Sequence, residues 1–177
     1  MIRVGIVGAG ENTRVRHIPG LRAIRGVELA GVVNSSAEST AKAAALHGIP
    51  RQFLSWEALV ADPAIDAVVI GTWPDLHAAV TCAALSAGKH VLTEARMARN
   101  LDEARTMQAA STANPNLVAM LVPSPFGLTL GQRVTELIRE GFLGELREYV
   151  VLGVDDQFQD YTRPLHWRQD ATKSGVN

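Results

Sequence analysis

The segment IRVGIVGAGENT, residues 2–13, decides the fold. Its first half, residues 2–7, is a short apolar run of the kind that forms a buried strand, and the run stops at Gly8-Ala9-Gly10. A helix-period stretch follows, in which Pro19 must introduce a kink or delay the start because proline has no backbone N–H to donate. A strand, a glycine turn and a helix in this order open a βαβ unit.

The same alternation of strand-like and helix-like stretches continues along the chain. Further strands are predicted at residues 27–33, 52–53, 67–70, 90–92, 117–121 and 145–153, with helices between them. Near-continuous apolar strands joined by helices predict a parallel sheet that is covered on both faces. The fold class is therefore α/β, a doubly wound Rossmann sheet.

Composition excludes several functional classes. The chain has 177 residues, of which 47% are apolar and 20% charged, and its 17 basic and 18 acidic side chains nearly cancel. No basic tract predicts nucleic-acid binding, and no apolar run is long enough for a membrane span. The start of the chain lacks the pattern of a signal peptide, so we expect a cytoplasmic protein. The one cysteine, Cys82, excludes an internal disulfide, and the five histidines show no metal-ligand spacing.

The loop after the first predicted strand is the first candidate binding site. Gly8 allows a tight turn, Gly10 lets the backbone approach a pyrophosphate, and the following helix directs free N–H groups at it. Ala9 and Asn12 belong to the same candidate site. Thr13 occupies the third position of the fingerprint, where Gly or Ala is usual; it either loosens the packing or adds a hydroxyl donor.

The loop after the second strand, Asn34-Ser35-Ser36, bears on the choice of cofactor. NAD sites usually place an acid here to accept from the ribose 2′-hydroxyl. None is present, and the serine hydroxyls can donate to a 2′-phosphate, so the sequence favours NADP over NAD. The alternative for Ser35 is capping of the next helix, which Ser35 and Glu38 match by spacing. Arg14 and Arg16 either reach phosphate or form a solvated helix face.

Several stretches resemble the glucose–fructose oxidoreductase, inositol dehydrogenase and rhizopine-catabolism (Gfo/Idh/MocA) family. They are VGIVGAG (4–10), RHIPGL (16–21), GTWPDLHA (71–78), ALSAGKHVLTEA (84–95) and GFLGEL (141–146). The resemblance implies an NAD(P)-dependent oxidoreductase acting on sugars, inositols or related polyols. It also implies a Rossmann domain at 1–122, followed at 123–177 by a linking helix and the truncated beginning of an α+β substrate and oligomerisation domain.

The resemblance also assigns residues to the site. Thr72, Trp73, Pro74 and His77 match the family's loop beside the cofactor ribose, and Glu94 matches the Glu of its Glu-Lys-Pro signature. His77 either contacts the cofactor or packs on the loop, and Trp73 either flanks the nicotinamide or covers the core.

Two departures from the family bear on activity. Ala95 and Arg96 stand where the family has Lys and Pro, so the expected proton donor is absent, and Arg96 is a candidate only for clamping an anionic substrate group. Residues 165–168 and 174–175 look like the approach to the family's glycine-rich segment. The family's catalytic histidine lies beyond it, and the chain stops at Asn177. We expect a truncated product or a partner chain that supplies the remainder.

Three functions remain open at this point. The chain supplies the cofactor half of a sugar or polyol oxidoreductase, with Glu94 and Arg96 as the catalytic candidates. Arg96 and Asp155-Asp156 are candidates for substrate contact, and the alternative for the two aspartates is a solvated loop. The second function is a non-catalytic nucleotide-binding or regulatory module, and the third is an S-adenosylmethionine-dependent methyltransferase, a class that shares the glycine turn. The predicted strand at 145–153 has few partners in the chain, so we expect self-association, swapped pairing or disorder after about Leu143.

Overall fold

The computed structural model describes residues 1–122, 131–150, 152–154, 159–160 and 162–176. It contains a six-stranded parallel sheet with the order β3-β2-β1-β4-β5-β6. The strands are β1 (Ile2–Val7), β2 (Val27–Val33), β3 (Arg51–Gln52), β4 (Ala67–Ile70), β5 (His90–Thr93) and β6 (Ala119–Leu121). The predicted doubly wound Rossmann sheet is confirmed, and its topological switch point lies between β1 and β4.

Helices cover both faces of this sheet. They are α1 (Ile18–Arg22), α2 (Ala37–His47), α3 (Trp56–Ala61), α4 (Pro74–Ser86) and α5 (Leu101–Ala113). A π-helical turn, Thr13–His17, precedes α1, so the regular helix begins late and Pro19 lies in its first turn, where no N–H is needed. The predicted delay at Pro19 is confirmed.

The core consists of one apolar cluster on each face of the sheet. One is built on Val7, Val68 and Ile70 and the other on Ile6 and Val32, and all five side chains are at most 3% exposed. Because successive side chains of a strand point to opposite faces, Ile6 and Val7 enter different clusters. β1 therefore anchors both layers and fixes the position of the loop that follows it.

By internal contacts the described chain divides into two compact units. The first comprises Met1–Val122 together with His166–Asn177, and the second comprises Pro123–Leu165. The second contains α6 (Gly131–Arg139), an exposed helix on which Arg133 pairs with Glu136 at 3.3 Å. A short helix, α7 (Ala171–Ser174), lies in the C-terminal part of the first unit.

The strand predicted at 145–153 is wrong for the residues described there. Residues 145–150 and 152–153 form no strand, and Leu152 is 87% exposed. The physical reason is that a strand needs a partner that completes its hydrogen-bond ladder. The alternating apolar side chains meet the sequence requirement, but no described segment provides the ladder.

A buried lysine joins the start of β5 to the connection that precedes β4, at the amino ends of these two strands. Lys89 precedes β5 and is 9% exposed, and its ammonium group donates to the backbone carbonyls of Asp62 at 2.9 Å and Ile65 at 2.7 Å. Both carbonyls belong to the connection between α3 and β4. Lys89 thus satisfies two acceptors that would otherwise lose water on folding.

We predict that Lys89→Met lowers the free energy of unfolding by about 1–3 kcal/mol, because the two carbonyls lose their donor while the aliphatic stem is kept. The measurement is urea or thermal unfolding followed by circular dichroism. The control is Lys42→Met on the exposed face of α2, which removes the same charge from solvent. Equal stability of the two variants would contradict the structural role of Lys89.

Candidate dinucleotide site

A cleft of about 530 Å³ lies at the carboxyl ends of β1, β2 and β4, around the switch point of the sheet. Ligands of open α/β sheets bind at this position. Its lining comprises residues from the loops after all three strands, from the start of α3 and from α7. They are Val7, Gly8, Ala9, Gly10, Val33, Asn34, Ser35, Ser39, Leu54, Ser55, Trp56, Gly71, Thr72, Trp73, Asp75, Leu76 and Lys173.

The glycine turn after β1 forms a cradle whose two glycines have different roles. Gly8 has a φ of +87°, and a Cβ there would lie 2.8 Å from the carbonyl carbon of Gly71, so the loops after β1 and β4 are in backbone contact. At Gly10 a Cβ would meet only the Gly71 oxygen, at 3.8 Å, so the side towards the cleft is open. This cradle fits a pyrophosphate, which needs backbone N–H groups and no Cβ in its path.

Thr13 does not reach the cleft. It is 1% exposed, and its hydroxyl donates to the carbonyl oxygen of Gly8 at 3.0 Å. A Cβ at Gly71 would lie 2.0 Å from the same hydroxyl oxygen. Thr13 therefore tightens the junction of the first turn with the loop after β4. The predictions that it loosens the packing or donates to a ligand are both wrong, because its hydroxyl is used inside the protein.

Asn34 joins the first and second loops. Its side-chain oxygen accepts from the N–H of Ala9 at 2.7 Å, and its side-chain amide donates to the carbonyl of Ser39 at 3.0 Å. Both ends of the amide are thus engaged within the protein, and Asn34 holds the shape of the cradle. Of the candidate serines, Ser35 lines the cleft.

The cap of α2 is Ser36, not Ser35. The Ser36 hydroxyl accepts from the N–H of Ser39, and the Ser39 hydroxyl accepts from the N–H of Ser36. The capping box is therefore displaced by one residue from its predicted position, and Ser39 takes the place expected for Glu38. The reason is that a serine hydroxyl can close the reciprocal bond as a carboxylate does. Ser35 is left as the serine of the loop that faces the cleft.

The loop after β4 contains four of the predicted residues, and they have different environments. Thr72 and Trp73 line the cleft, whereas Pro74 and His77 are buried in α4. His77 is 1% exposed, and its ring nitrogens lie 2.8 Å from the carbonyl oxygen of Arg96 and 3.1 Å from that of Thr72. His77 thus ties the loops after β4 and β5 together, as the packing alternative expected.

Glu94, at the end of β5, lies in a cluster with Asn12 and His17. Its carboxylate accepts from the side-chain amide of Asn12 and contacts the imidazole of His17. The side chains of Glu94 and His17 are only 14% and 12% exposed. Asn12 and Glu94 contact each other, but neither is among the residues that line the cleft. The sequence analysis missed His17, although it lies within the RHIPGL stretch.

Two charged candidates, Arg14 and Arg96, have partners within the protein. Arg14 pairs with Glu11 at 3.0 Å, and neither Arg14 nor Arg16 lines the cleft. Arg96 donates to the carbonyl of Ser174 at 2.9 Å, so its guanidinium helps to hold the C-terminal segment. Asp155 and Asp156 lie outside the described residues.

The cleft residues that were not predicted include Leu54, Ser55, Trp56 and Lys173. Leu54 is 95% exposed at the rim, and Trp56 packs against the core. Leu54, Ser55 and Trp56 follow β3, the shortest strand. A strand of two residues is hard to recognise in a sequence, so the loop at its carboxyl end is hard to place as well. Lys173 was missed because it is distant in sequence.

Metal and membrane features are absent from the part of the chain that the structure describes. No group of three or more His, Cys, Asp or Glu side chains is arranged to hold a metal ion there. No helix in those ranges has both the length and the apolar character needed to cross a bilayer. Burial raises the pKa of the Cys82 thiol.

Two curated relatives are oxidoreductases of small carbohydrates. The chain is 41% identical over 111 residues to 1,5-anhydro-D-fructose reductase of Ensifer adhaerens, covering 63% of this chain and 33% of the reductase. It is 28% identical over 154 residues to the NADP⁺-dependent scyllo-inositol 2-dehydrogenase IolW of Bacillus subtilis, covering 85% and 41%. The chain thus spans less than half the length of both relatives.

A solved structure matches along almost the whole chain. Biliverdin reductase from Synechocystis, crystallised with biliverdin and NADP⁺, superposes with a TM-score of 0.73 at 30% identity. The match covers 99% of this chain and 53% of that one.

The family described as "Oxidoreductase family, NAD-binding Rossmann fold" matches residues 2–121, the part of the chain that forms the sheet and its covering helices. The cofactor class of this domain is NAD or NADP, as the glycine cradle predicts. The resemblance seen in the sequence is therefore confirmed, and the chain belongs to the Gfo/Idh/MocA oxidoreductase family.

Proposed function

We propose that the cleft at the switch point binds NADP, with NAD as the weaker ligand, and that this chain supplies the cofactor half of an oxidoreductase acting on a sugar or polyol. The observation that supports this most directly is the cradle, in which Gly8 closes against Gly71 while Gly10 stays open towards the cleft. At Gly10 an added Cβ would meet only a backbone oxygen, so no side chain blocks the approach of a pyrophosphate there.

The lining divides by chemistry along the expected course of a dinucleotide. The N–H groups after Gly10 face the pyrophosphate, and Ser35 and Ser39 face the adenosine ribose. Leu54 and Trp56 offer apolar surface for the adenine ring. On the other side of the cradle, the Asn12–Glu94 pair lies towards the nicotinamide ribose. The bound cofactor supplies or accepts a hydride; the residues of this chain bind and orient it.

Proton transfer is not assigned to the position after Glu94. The side chain of Ala95 has no exchangeable proton, and the Arg96 guanidinium is a poor proton donor that is bonded to the carbonyl of Ser174. We infer that substrate turnover depends on an acid–base group outside the Rossmann unit. The sugar or polyol class of substrate rests on the names of the two curated relatives.

The alternative of a non-catalytic module rests on Ala95, which stands where the family has lysine. The names of the relatives favour the oxidoreductase instead, and the family match gives no support to the methyltransferase. An absorbance assay of nicotinamide reduction with a panel of polyols distinguishes the first two. Turnover supports the oxidoreductase, and cofactor binding without turnover across the panel supports the module.

We predict that Gly71→Ala reduces NADPH and NADH binding by at least tenfold, because the new Cβ would collide with the Thr13 hydroxyl and displace the cradle. Binding is followed by quenching of tryptophan fluorescence, since Trp56 and Trp73 both line the cleft. The control is Gly20→Ala in α1, where a Cβ meets nothing within 4 Å. Wild-type affinity in Gly71→Ala would exclude the cradle as the pyrophosphate site.

We predict that Ser35→Asp weakens NADPH binding about tenfold and leaves NADH binding unchanged or tighter. A carboxylate there repels the 2′-phosphate and can accept from a free 2′-hydroxyl. Ser35→Asn is the uncharged control of the same size. If the ratio of the NADPH affinity to the NADH affinity is the same in wild type, Ser35→Asp and Ser35→Asn, the adenosine ribose does not lie at Ser35.

We also propose that the apolar side chains of residues 145–154 mediate self-association. Leu146, Val150, Leu152 and Val154 are 57–87% exposed within the second unit. Leu152→Asp should shift the protein towards monomer in light scattering, because a charge opposes burial of this surface. Leu46→Asp, at an exposed leucine of α2, is the control. A wild-type monomer at all concentrations would refute the proposal.

A further inference from the structure

The C-terminal part of the first unit, residues 166–176, is held against the loop after β5 by specific contacts. Arg96 donates to the carbonyl of Ser174 at 2.9 Å, and Arg99 donates to that of Thr172 at 3.2 Å. Ser174 is 1% exposed. A Cβ at Gly175 would lie 2.1 Å from the carbonyl oxygen of Arg99, so only glycine permits this approach. The segment therefore has a defined position on the Rossmann unit.

A stacked pair of tryptophans joins the same segment to the cleft. The rings of Trp73, in the loop after β4, and Trp167 are 6.2 Å apart and inclined by 17°. Trp73 lines the cleft. The segment thus reaches the rim of the site as well as the loop after β5.

This packing places Lys173 in the lining of the cleft. Its ammonium nitrogen lies 2.8 Å from the Oδ2 of Asp75 and 5.5 Å from the centre of the Trp73 ring. Its side chain is 38% exposed, so the ammonium group can still reach a ligand. Among the described residues that line the cleft, Lys173 is the only basic side chain. The hydrogen bond that Lys173 donates to Asp75 raises the pKa of Lys173, which stays charged at neutral pH.

The Asp75 carboxylate can be stabilised without Lys173. Asp75 lies in the first turn of α4, a helix of 13 residues, where the helix dipole favours a negative charge. An ammonium group has three N–H donors, and the bond to Asp75 uses one of them. Lys173 can therefore donate a second hydrogen bond to an anion in the cleft. The dipole of α4 still stabilises the negative charge of Asp75.

We propose that Lys173 donates a charge-assisted hydrogen bond to a phosphate of the bound dinucleotide. The inference rests on the proposed function, because it needs the dinucleotide to occupy the cleft. The positive charge of the site then comes from Lys173, which faces the loop Thr72–Asp75 but lies about 100 positions after it in the sequence. The cradle contributes backbone donors, and Lys173 contributes the one side-chain cation.

The test is fluorescence titration of wild type, Lys173→Met and Lys42→Met with NADPH and with NADH. Lys173→Met should bind at least one dinucleotide about tenfold more weakly, and Lys42→Met should bind as wild type. The difference should shrink as ionic strength rises, because salt screens a partly exposed charge. Equal losses for the two ligands identify the pyrophosphate as the acceptor, and a loss for NADPH alone identifies the 2′-phosphate.

Two further variants separate ligand binding from a structural role. Lys173→Arg keeps the charge and should restore most of the affinity. Asp75→Asn releases Lys173 from its carboxylate and should bind as tightly as wild type or more tightly. If Lys173→Met does not fold, these two variants decide the question. Weaker binding by Asp75→Asn would show that the ion pair, not the cation, matters to the site.

The outcomes that overturn the inference differ from those that overturn the proposed function. If wild type binds neither dinucleotide, the cleft is not a cofactor site, and both proposals fail. If wild type binds and Lys173→Met binds equally well at low salt, the cofactor site stands and the role of Lys173 is refuted.

Discussion

The close approach of the loops after β1 and β4 is the constraint on which the rest of the site depends. Gly8 and Gly71 are in backbone contact, and the Thr13 hydroxyl donates to the carbonyl of Gly8 next to this contact. A side chain at either glycine would separate the two strands at their carboxyl ends. Because these strands flank the switch point, their spacing sets the width of the cleft and the direction of the backbone N–H groups that face it.

Around this junction, side chains hold the loops in register through hydrogen bonds within the protein. Asn34 ties the second loop to Ala9, and His77 ties the loop after β4 to that after β5. Glu94, with Asn12 and His17, joins the end of β5 to the first turn. Asn12, Asn34, His77 and Glu94 were candidates for ligand contact in the sequence, whereas His17 was not. In the structure their polar atoms form hydrogen bonds within the protein, and these bonds preorganise the loops around the site.

The fold could be predicted from the sequence because its signals are local. Apolar strands, the glycine turn and the capping residues Ser55 and Asn100 can be recognised within short windows, and the structure follows them closely. The predictions failed where the outcome depends on a distant partner. The alternation at 145–153 satisfies the strand pattern, but pairing is a property of two segments. Thr13 and Lys173 were misjudged or missed for the same reason, since Gly71 and Asp75 decide their roles from far along the chain.

The return of residues 166–176 to the Rossmann unit makes the cofactor half discontinuous in sequence. A fragment ended at Val122 would keep the sheet and the cradle but lose the stacking partner of Trp73 and the acceptors of Arg96 and Arg99. The two halves of such an enzyme are therefore not interchangeable modules. A new substrate domain joined to this Rossmann unit must be followed by a segment whose carbonyls accept from Arg96 and Arg99. Without such a segment, the unit loses the part of its cleft that residues 166–176 line.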